Sequence, residues 1–454
     1  MPGASIRSIG NKCRLAPLFA SITSRTISRG RDSDNRLTGD FTRVKPTVLL
    51  ACAFRWLPPS RLAMALAEAG FVVDAVCPWR HSLTTLRSSI RRTYTHSGFS
   101  AEESFESAII DSKPDLIVPC DDVTVRHLHR LHAKHIRRGN HSGIADRIEH
   151  SLGLAENFPI LYRRADFIQI AKEQGIRTPA ARDIADEKDL RDWLQQHGFP
   201  TVLKADDTSA GEGVRIVEDQ SQAQKAFALL AKPPLVARAL KRALIDQDSS
   251  LVRRSLLRSG AHVSAQSFVG GREATSLVAC WKGKVLASLH FEVLNKTNAT
   301  GYSTVLRFVE NAEMESAADK IVRRLGLSGI NGFDFILEAE TGNAYLIEIN
   351  PRATQIGHLT LGPGRDIPGA LFSCVTGRPI QEAAKVTDKD VVALFPQEWK
   401  RDPHSCYLGS GYHDVPWSEP ELIRACVRPQ RRQWKSFTEK EASRGLSPAR
   451  VSRS

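Results

Sequence analysis

Three polar side chains set in otherwise apolar, alternating segments carry the most chemistry in this sequence: Asp334, Glu348 and Asn350. Phe333 to Leu337 and Ala344 to Ile349 are period-2 runs flanking Glu340-Thr341-Gly342-Asn343, which predicts a β-hairpin. Residues i and i+2 of a strand share a face, so Glu348 and Asn350 point the same way and Asp334 can join them across the ladder. Two carboxylates and an amide oxygen suit a hard divalent cation such as Mg²⁺, with Mn²⁺ as an alternative, whose other ligands are water and phosphate oxygens. No His or Cys belongs to the set, which argues against zinc. A bare E-x-N is equally what the solvated face of an edge hairpin looks like, so the surroundings decide. Register adds a condition. The three side chains share a face when Asp334 stands opposite Glu348 and Gly332 opposite Asn350, which requires a turn of odd length or a β-bulge.

Other candidates stand upstream. Pro200-Thr-Val-Leu-Lys204 and Val214 to Val217 read as two strands joined by a loop containing Gly211 and Gly213. Glycine lets backbone amides approach an anion closely, and Lys204 at the root of the loop can pair with phosphates as a point charge. A hairpin turn that needs Gly for its backbone alone explains the loop as well. Asp121 and Asp122 follow a predicted strand end, where open α/β sheets place ligands, and also fit a helix cap. The polar stretch Asn295 to Thr304, with Arg352 and His358, is a candidate wall for a substrate, or an ordinary surface loop.

The elements that must position these residues follow a changing pattern. Residues 1–45 carry nine Lys/Arg against three Asp/Glu, residues 423–454 carry nine against two, and the body between is neutral, so the net charge of +13 belongs to the tails. A nucleic-acid enzyme needs its basic stripe on the folded body, which excludes that class here. The N-terminal segment, rich in Ser, Thr and Arg, fits a transit peptide, a disordered arm or an over-extended start; disorder and a cytosolic protein are expected. No apolar run is long enough to span a bilayer. Eight cysteines without C-x-x-C spacing, four of them in or beside apolar runs, read as buried free thiols.

From Pro46 strands at 48–54, 71–76 and 115–119 alternate with helices at 60–70, 101–112 and 122–133, with 77–100 irregular. This order implies a parallel sheet with helices on both faces, and the first strand is followed by no G-x-G-x-x-G. Arg163 to Glu173 is a linker helix; further helices are expected at 186–197, 221–231, 313–325 and 367–376, strands at 274–280, 284–293 and 391–395, and a basic helical insertion at 235–258. The last thirty or so residues read as disordered.

In this order the features resemble the ATP-grasp superfamily, over roughly residues 46–378. The resemblance implies a disordered basic segment (1–45), a Rossmann-like pre-domain (46–150), a small lobe with its linker helix (160–270), a large lobe holding the metal site (271–378) and a C-terminal extension (379–454). It implies ATP phosphates held by Arg164, Lys204 and the loop of Gly211 and Gly213, and adenine at the hinge Gln266-Ser267-Phe268-Val269. Glu273 falls where the family binds the ribose hydroxyls; Asp334, Glu348 and Asn350 fall on its Mg²⁺ ligands, and Arg352 on an arginine that meets the phosphate or acyl intermediate. Arg164 for Lys and Gln266 for Glu depart from the family pattern. The implied activity is a carboxylate–amine ligase, in which a carboxylate attacks the γ-phosphate to give an acyl phosphate and ADP and an amine then displaces phosphate. No enzyme nucleophile is needed, and no G-x-S-x-G is present. A phosphotransferase and a nucleotide-binding module without turnover are the alternatives. The expected partners are a small carboxylate and an amine, with neither nucleic acid nor membrane.

Overall fold

Apolar continuity builds the first sheet. Strands β1 (Thr47–Ala51) and β4 (Leu116–Pro119) are buried along their whole length, as central strands covered on both faces must be. With β2 (Val72–Pro78) and β3 (Arg92–His96) they form an all-parallel sheet in the order β3-β2-β1-β4. Val48 and Leu50 pack towards Leu62 and Leu66 of helix α1 (Pro58–Glu68). Leu49 and Ala51 point the other way, into a core with Phe105 of α2 (Ala101–Ser112), Leu128 of α3 (Asp122–Arg137) and Ile148 of α4 (Ile144–Leu152). The computed structural model describes residues 45–206, 213–232, 262–298, 301–379 and 383–427. The basic tails, apart from Lys45 and residues 423–427, and the insertion expected at 235–258 lie outside these. Strand β3 occupies part of the stretch expected to be irregular: it is an edge strand with Arg92, Thr93 and Thr95 exposed, so it lacks an apolar period.

Helix α5 (Arg164–Glu173) leads to a second sheet of four antiparallel strands. These are β5 (Ala181–Ile184), β6 (Thr201–Ala205), β7 (Val214–Val217) and β8 (Val263–Ser267), in the order β5-β8-β6-β7. Helices α6 (Glu187–His197) and α7 (Gln220–Ala231) start on Asp186 and Asp219, whose carboxylates accept from backbone amides of the first turn. They bury Leu190, Trp193 and Phe227 against Leu203 and Ala265 in a core separate from the others. Alternation then turns Val202, Lys204 and Gln266 to the opposite face of the sheet.

The third sheet runs β13-β12-β9-β10-β11-β14-β15. Its strands are β9 (Gly271–Trp281), β10 (Lys284–Lys296), β11 (Ser303–Phe308), β12 (Gly329–Glu338), β13 (Ala344–Asn350), β14 (Val391–Leu394) and β15 (Tyr412–Asp414). All neighbours are antiparallel except β14 and β15. Helix α8 (Ala312–Leu325) is capped by Asn311, carries Glu313 and Glu315 in its first turn and Arg323 and Arg324 in its last, and so opposes its dipole at both ends. Its buried Met314, Ala318, Ile321 and Leu325 pack with Phe333 and Phe335 on one face of the sheet. Each such large aliphatic burial contributes about 1.5–3 kcal/mol. On the other face, α9 (Ile367–Thr376) brings Leu371 to Leu277 and Phe291, and this core is continuous with that of β1 and α1. Helices α10 (Gln397–Arg401) and α11 (Tyr407–Ser410) connect β14 to β15, and α12 (Pro420–Val427) ends the described chain. Helix α12 thus enters the stretch expected to be disordered. No helix among the described residues is long and apolar enough to cross a membrane. Cys52, Cys77, Cys120 and Cys280 are buried free thiols.

Candidate functional site

The hairpin of β12 and β13 sets Asp334 opposite Glu348 and Gly332 opposite Asn350, after which the register slips so that Phe335 pairs with Leu346. Ile347 is therefore the extra residue of a β-bulge. Residues 339–342 form a turn of even length, closed by the Glu338 amide donating to the Asn343 carbonyl at 2.9 Å. Such a turn alone would leave the two carboxylates on opposite faces; the bulge restores the phase. Burial along β13 records the slip, since Ala344, Leu346 and Ile349 are buried while Ile347 and Glu348 are both partly exposed. Leu346 joins Phe335 in the core, and Glu348 opens the other way.

The polar groups on that face are tied together. Asn350 Nδ2 donates to Asp334 Oδ2 at 2.8 Å, and Thr275 Oγ1 donates to Asp334 Oδ1 at 2.9 Å. Arg352 Nη2 donates to Asn350 Oδ1 at 3.2 Å, while its Nε donates to Asp122 Oδ1 at 2.8 Å. Arg164 Nη2 donates to Glu348 Oε1 at 2.8 Å, and its Nη1 to the Ala205 carbonyl at 2.6 Å. Burial, together with the neighbouring Glu348 charge, raises the Asp334 carboxyl to about 6. Lys204 falls to about 8, because burial and the Arg164 charge outweigh the attraction of Glu348 and Asp334. Burial pushes the Asp122 carboxyl up, but the Arg352 guanidinium holds it below its ordinary value.

These residues line one cavity of about 580 Å³. The helix-free face of the small sheet supplies one wall, with Val202, Lys204, Val214, Ile216 and Gln266. Ile216 and Phe268 are large apolar residues left 54% and 42% exposed there, so the wall is an apolar slot beside a cation. Glu273 lies in the lining with its carboxylate 2.5 Å from Lys296 Nζ. The far end is closed by the first sheet: Trp56 from the loop after β1, and Asp122 and Arg126 from α3. Trp56 Nε1 and Thr354 Oγ1 are buried in the lining with no hydrogen-bond partner among the described residues. Sequence reasoning missed Trp56 and Thr354, which carry no local signal; the fold brings them there.

Among the candidates named from sequence, Arg164, Lys204, Gln266, Phe268, Val269, Glu273, Asp334, Glu348, Asn350 and Arg352 meet in this cavity. Gly213 sits at the foot of β7, its carbonyl accepting from the Ala205 amide at 2.9 Å, and is not in the lining. Gly211 lies outside the described residues. Asp121 caps α3, its Oδ1 accepting from the Thr124 amide at 2.8 Å, while Asp122 turns to Arg352. Of the polar loop expected as a substrate wall, Lys296, Gly301, Tyr302 and Ser303 line the cavity. His358 does not: it is buried under β15, with Nε2 2.6 Å from Asp414 Oδ2. The expectation failed there because its partner lies 56 residues further on. The all-oxygen trio with adjoining cations fits a hard divalent ion held together with phosphate oxygens. Among the described residues no group of three or more His, Cys, Asp and Glu side chains is arranged to hold a metal, so any such ion relies on the Asn350 amide as well.

A two-lobed arrangement of this kind, with an oxygen trio on a hairpin facing a lysine-bearing antiparallel sheet, defines the class. A family model for the ATP-grasp domain matches residues 166–355, and over that stretch the chain is similar to the ATP-grasp superfamily. Among curated proteins it is similar to the carbamoyl phosphate synthase large chain of Methanothermobacter thermautotrophicus, 22% identical over 236 residues, which is 52% of this chain and 20% of that protein. The N-terminal section of the Methanopyrus kandleri large chain is 24% identical over 233 residues, 49% of this chain and 35% of that protein. The chain thus spans about a fifth to a third of the length of these relatives. Among solved structures, the biotin carboxylase domain of Hydrogenobacter thermophilus 2-oxoglutarate carboxylase, in complex with MgADP and bicarbonate, superposes with a TM-score of 0.54 at 15% identity, over 74% of this chain and 70% of that one. N5-carboxyaminoimidazole synthetase from Staphylococcus aureus, complexed with ADP, gives 0.51 at 14%, over 75% and 80%. At such identities the likeness carries the fold.

Proposed function

We propose that this protein is an ATP- and Mg²⁺-dependent ligase that joins a carboxylate to an amine through an acyl phosphate, releasing ADP and phosphate. The observation that carries it is the single cavity in which the oxygen trio, Lys204, Arg164, the apolar slot and Arg352 converge. Phosphoryl transfer is mostly positioning and charge stabilisation, and these residues supply both. The slot of Val202, Val214, Ile216 and Phe268 takes the adenine, and Glu273 the ribose hydroxyls. Lys204 and Arg164 neutralise the phosphates. Mg²⁺ held by Asp334, Glu348 and Asn350 would supply the charge that offsets the phosphate oxygens.

The substrate carboxylate attacks the γ-phosphorus, the bond to the β-phosphate oxygen breaks, and ADP leaves. Arg352, held by Asp122 and Asn350, meets the resulting acyl phosphate. An amine then adds to the acyl carbon, phosphate departs with the bonding pair, and the amine loses a proton. The far wall is rich in donors, with Arg352, the Trp56 indole N–H and the Thr354 hydroxyl, and the Asp122 carboxylate there is already engaged; this composition favours an oxyanion as the acceptor. The similarity to a carbamoyl phosphate synthase large chain, and the shared fold with a biotin carboxylase domain solved with MgADP and bicarbonate, support that reading. The test is an ADP-release screen of the purified protein against bicarbonate, small carboxylates and amino acids, followed by product analysis. ADP with an amide supports the ligase; ADP with a stable phosphorylated product makes the protein a phosphotransferase; no ADP with any acid makes it a binding module.

A further inference from the structure

Arg164 holds an unusual place between the two halves of the cavity. It starts α5, donates to the Ala205 carbonyl at the end of β6, and reaches across to Glu348 on β13, with Asp206 Oδ1 3.4 Å from Nη1. Its side chain is 15% exposed. Asp334 accepts from two neutral groups, Thr275 and Asn350, whereas Glu348 accepts from a full cation. A guanidinium keeps its proton in any protein environment, so this counter-charge can leave Glu348 only by moving.

We propose that Arg164 is a stand-in cation that bars a lone divalent ion from Glu348 and is drawn off by nucleotide phosphates, so that metal and nucleotide load together. This rests on reading Asp334, Glu348 and Asn350 as the metal ligands. A divalent ion arriving alone must break a charge-assisted bond and approach Arg164 and Lys204 at close quarters. A polyphosphate in the same cavity offers Arg164 oxygens in exchange for the carboxylate, so its charge stays compensated as Glu348 turns to the metal. Coupling of this kind is reciprocal: each ligand strengthens the binding of the other.

The test uses the full chain and needs no turnover. Mn²⁺ binding without nucleotide is followed by electron paramagnetic resonance, and AMP-PNP binding in excess Mg²⁺ by calorimetry. Arg164→Gln is expected to bind Mn²⁺ about tenfold more tightly than wild type and AMP-PNP about tenfold more weakly, coupling energies of this size being ordinary. Opposite signs are the diagnostic result, because a merely structural loss weakens both. Arg163→Gln removes the adjacent cation, which pairs with Asp166 and Asp183, and is expected to leave Mn²⁺ affinity as it was. Adding Glu348→Gln to Arg164→Gln should abolish the gain. Unchanged Mn²⁺ affinity in Arg164→Gln, an equal gain in Arg163→Gln, or a gain that survives Glu348→Gln each overturns the stand-in role. Should Arg164→Gln fail to fold, Arg164→Lys decides: it keeps the charge but lacks the fork that spans Ala205 and Glu348, and a gain of roughly threefold in Mn²⁺ affinity is expected, its absence counting against the role. Wild-type protein without affinity for AMP-PNP would instead sink the nucleotide site itself, whatever the Mn²⁺ titrations give.

Discussion

At the level of single residues, Glu348 and Lys204 show how a charge can matter without contributing to packing. Glu348 is partly exposed at the cavity and contacts Arg164, so Glu348→Ala is expected to fold with wild-type circular dichroism and lose Mg²⁺-dependent ADP release. Undiminished release would remove the carboxylate from the metal set. Lys204 is buried, and its amine is held at about 8 where an unfolded chain keeps its proton to 10.5. Between those values the unfolded chain binds more protons than the folded one, so stability rises with pH across that window. Subtracting the pH dependence of Lys204→Met, which has no such proton, should isolate this slope in melting experiments; a flat difference between pH 8 and pH 10 would show that the lysine is well solvated, and a falling one that its neighbouring carboxylates outweigh burial.

Among the elements, the hairpin was legible because polar residues interrupt an otherwise apolar alternation, and the requirement that Asp334 and Glu348 share a face foresaw an odd turn or a bulge. Sequence did not choose between them, since Ala-Tyr-Leu-Ile-Glu-Ile fits either until Leu346 is known to pack on Phe335. Strands β3 and β5 left little periodic signal: Arg92 and Thr93 are exposed, and Ala181 to Asp183 lack full burial on either side. Trp56 was invisible because its role comes from the first sheet meeting the third, a contact no local pattern encodes. The same holds for β15, whose Asp414 is buried with both His358 and Arg61 of α1. Removing one partner of a buried ionic group leaves charge uncompensated, so Asp414→Asn is expected to cost roughly 3 kcal/mol in urea denaturation. An unchanged midpoint would mean that the strand is held by its backbone pairing alone.

Across the whole molecule, the first and third sheets share a core while the small sheet keeps its own, with Leu203, Trp193 and Phe227 at its centre. Local stability follows local cores, so amides of β6 and β8 are expected to exchange with deuterium as a unit, faster than those of β9 and β10, and to slow when AMP-PNP and Mg²⁺ are added. Uniform exchange across all three sheets, unaltered by nucleotide, would contradict a cavity wall whose stability is set by its own core. The order of strands in the third sheet also sets a timetable for synthesis. Strand β11 pairs with β10 as soon as both exist, but its other edge is met by β14, which begins at Val391. A ribosome adding about 5–20 residues per second therefore leaves the apolar edge of Val305 and Leu306 open for roughly ten seconds. Nascent chains stalled or truncated in that interval present a ready template for strand addition, and the exposure ends only once residues 309–394 have been translated and β14 has docked.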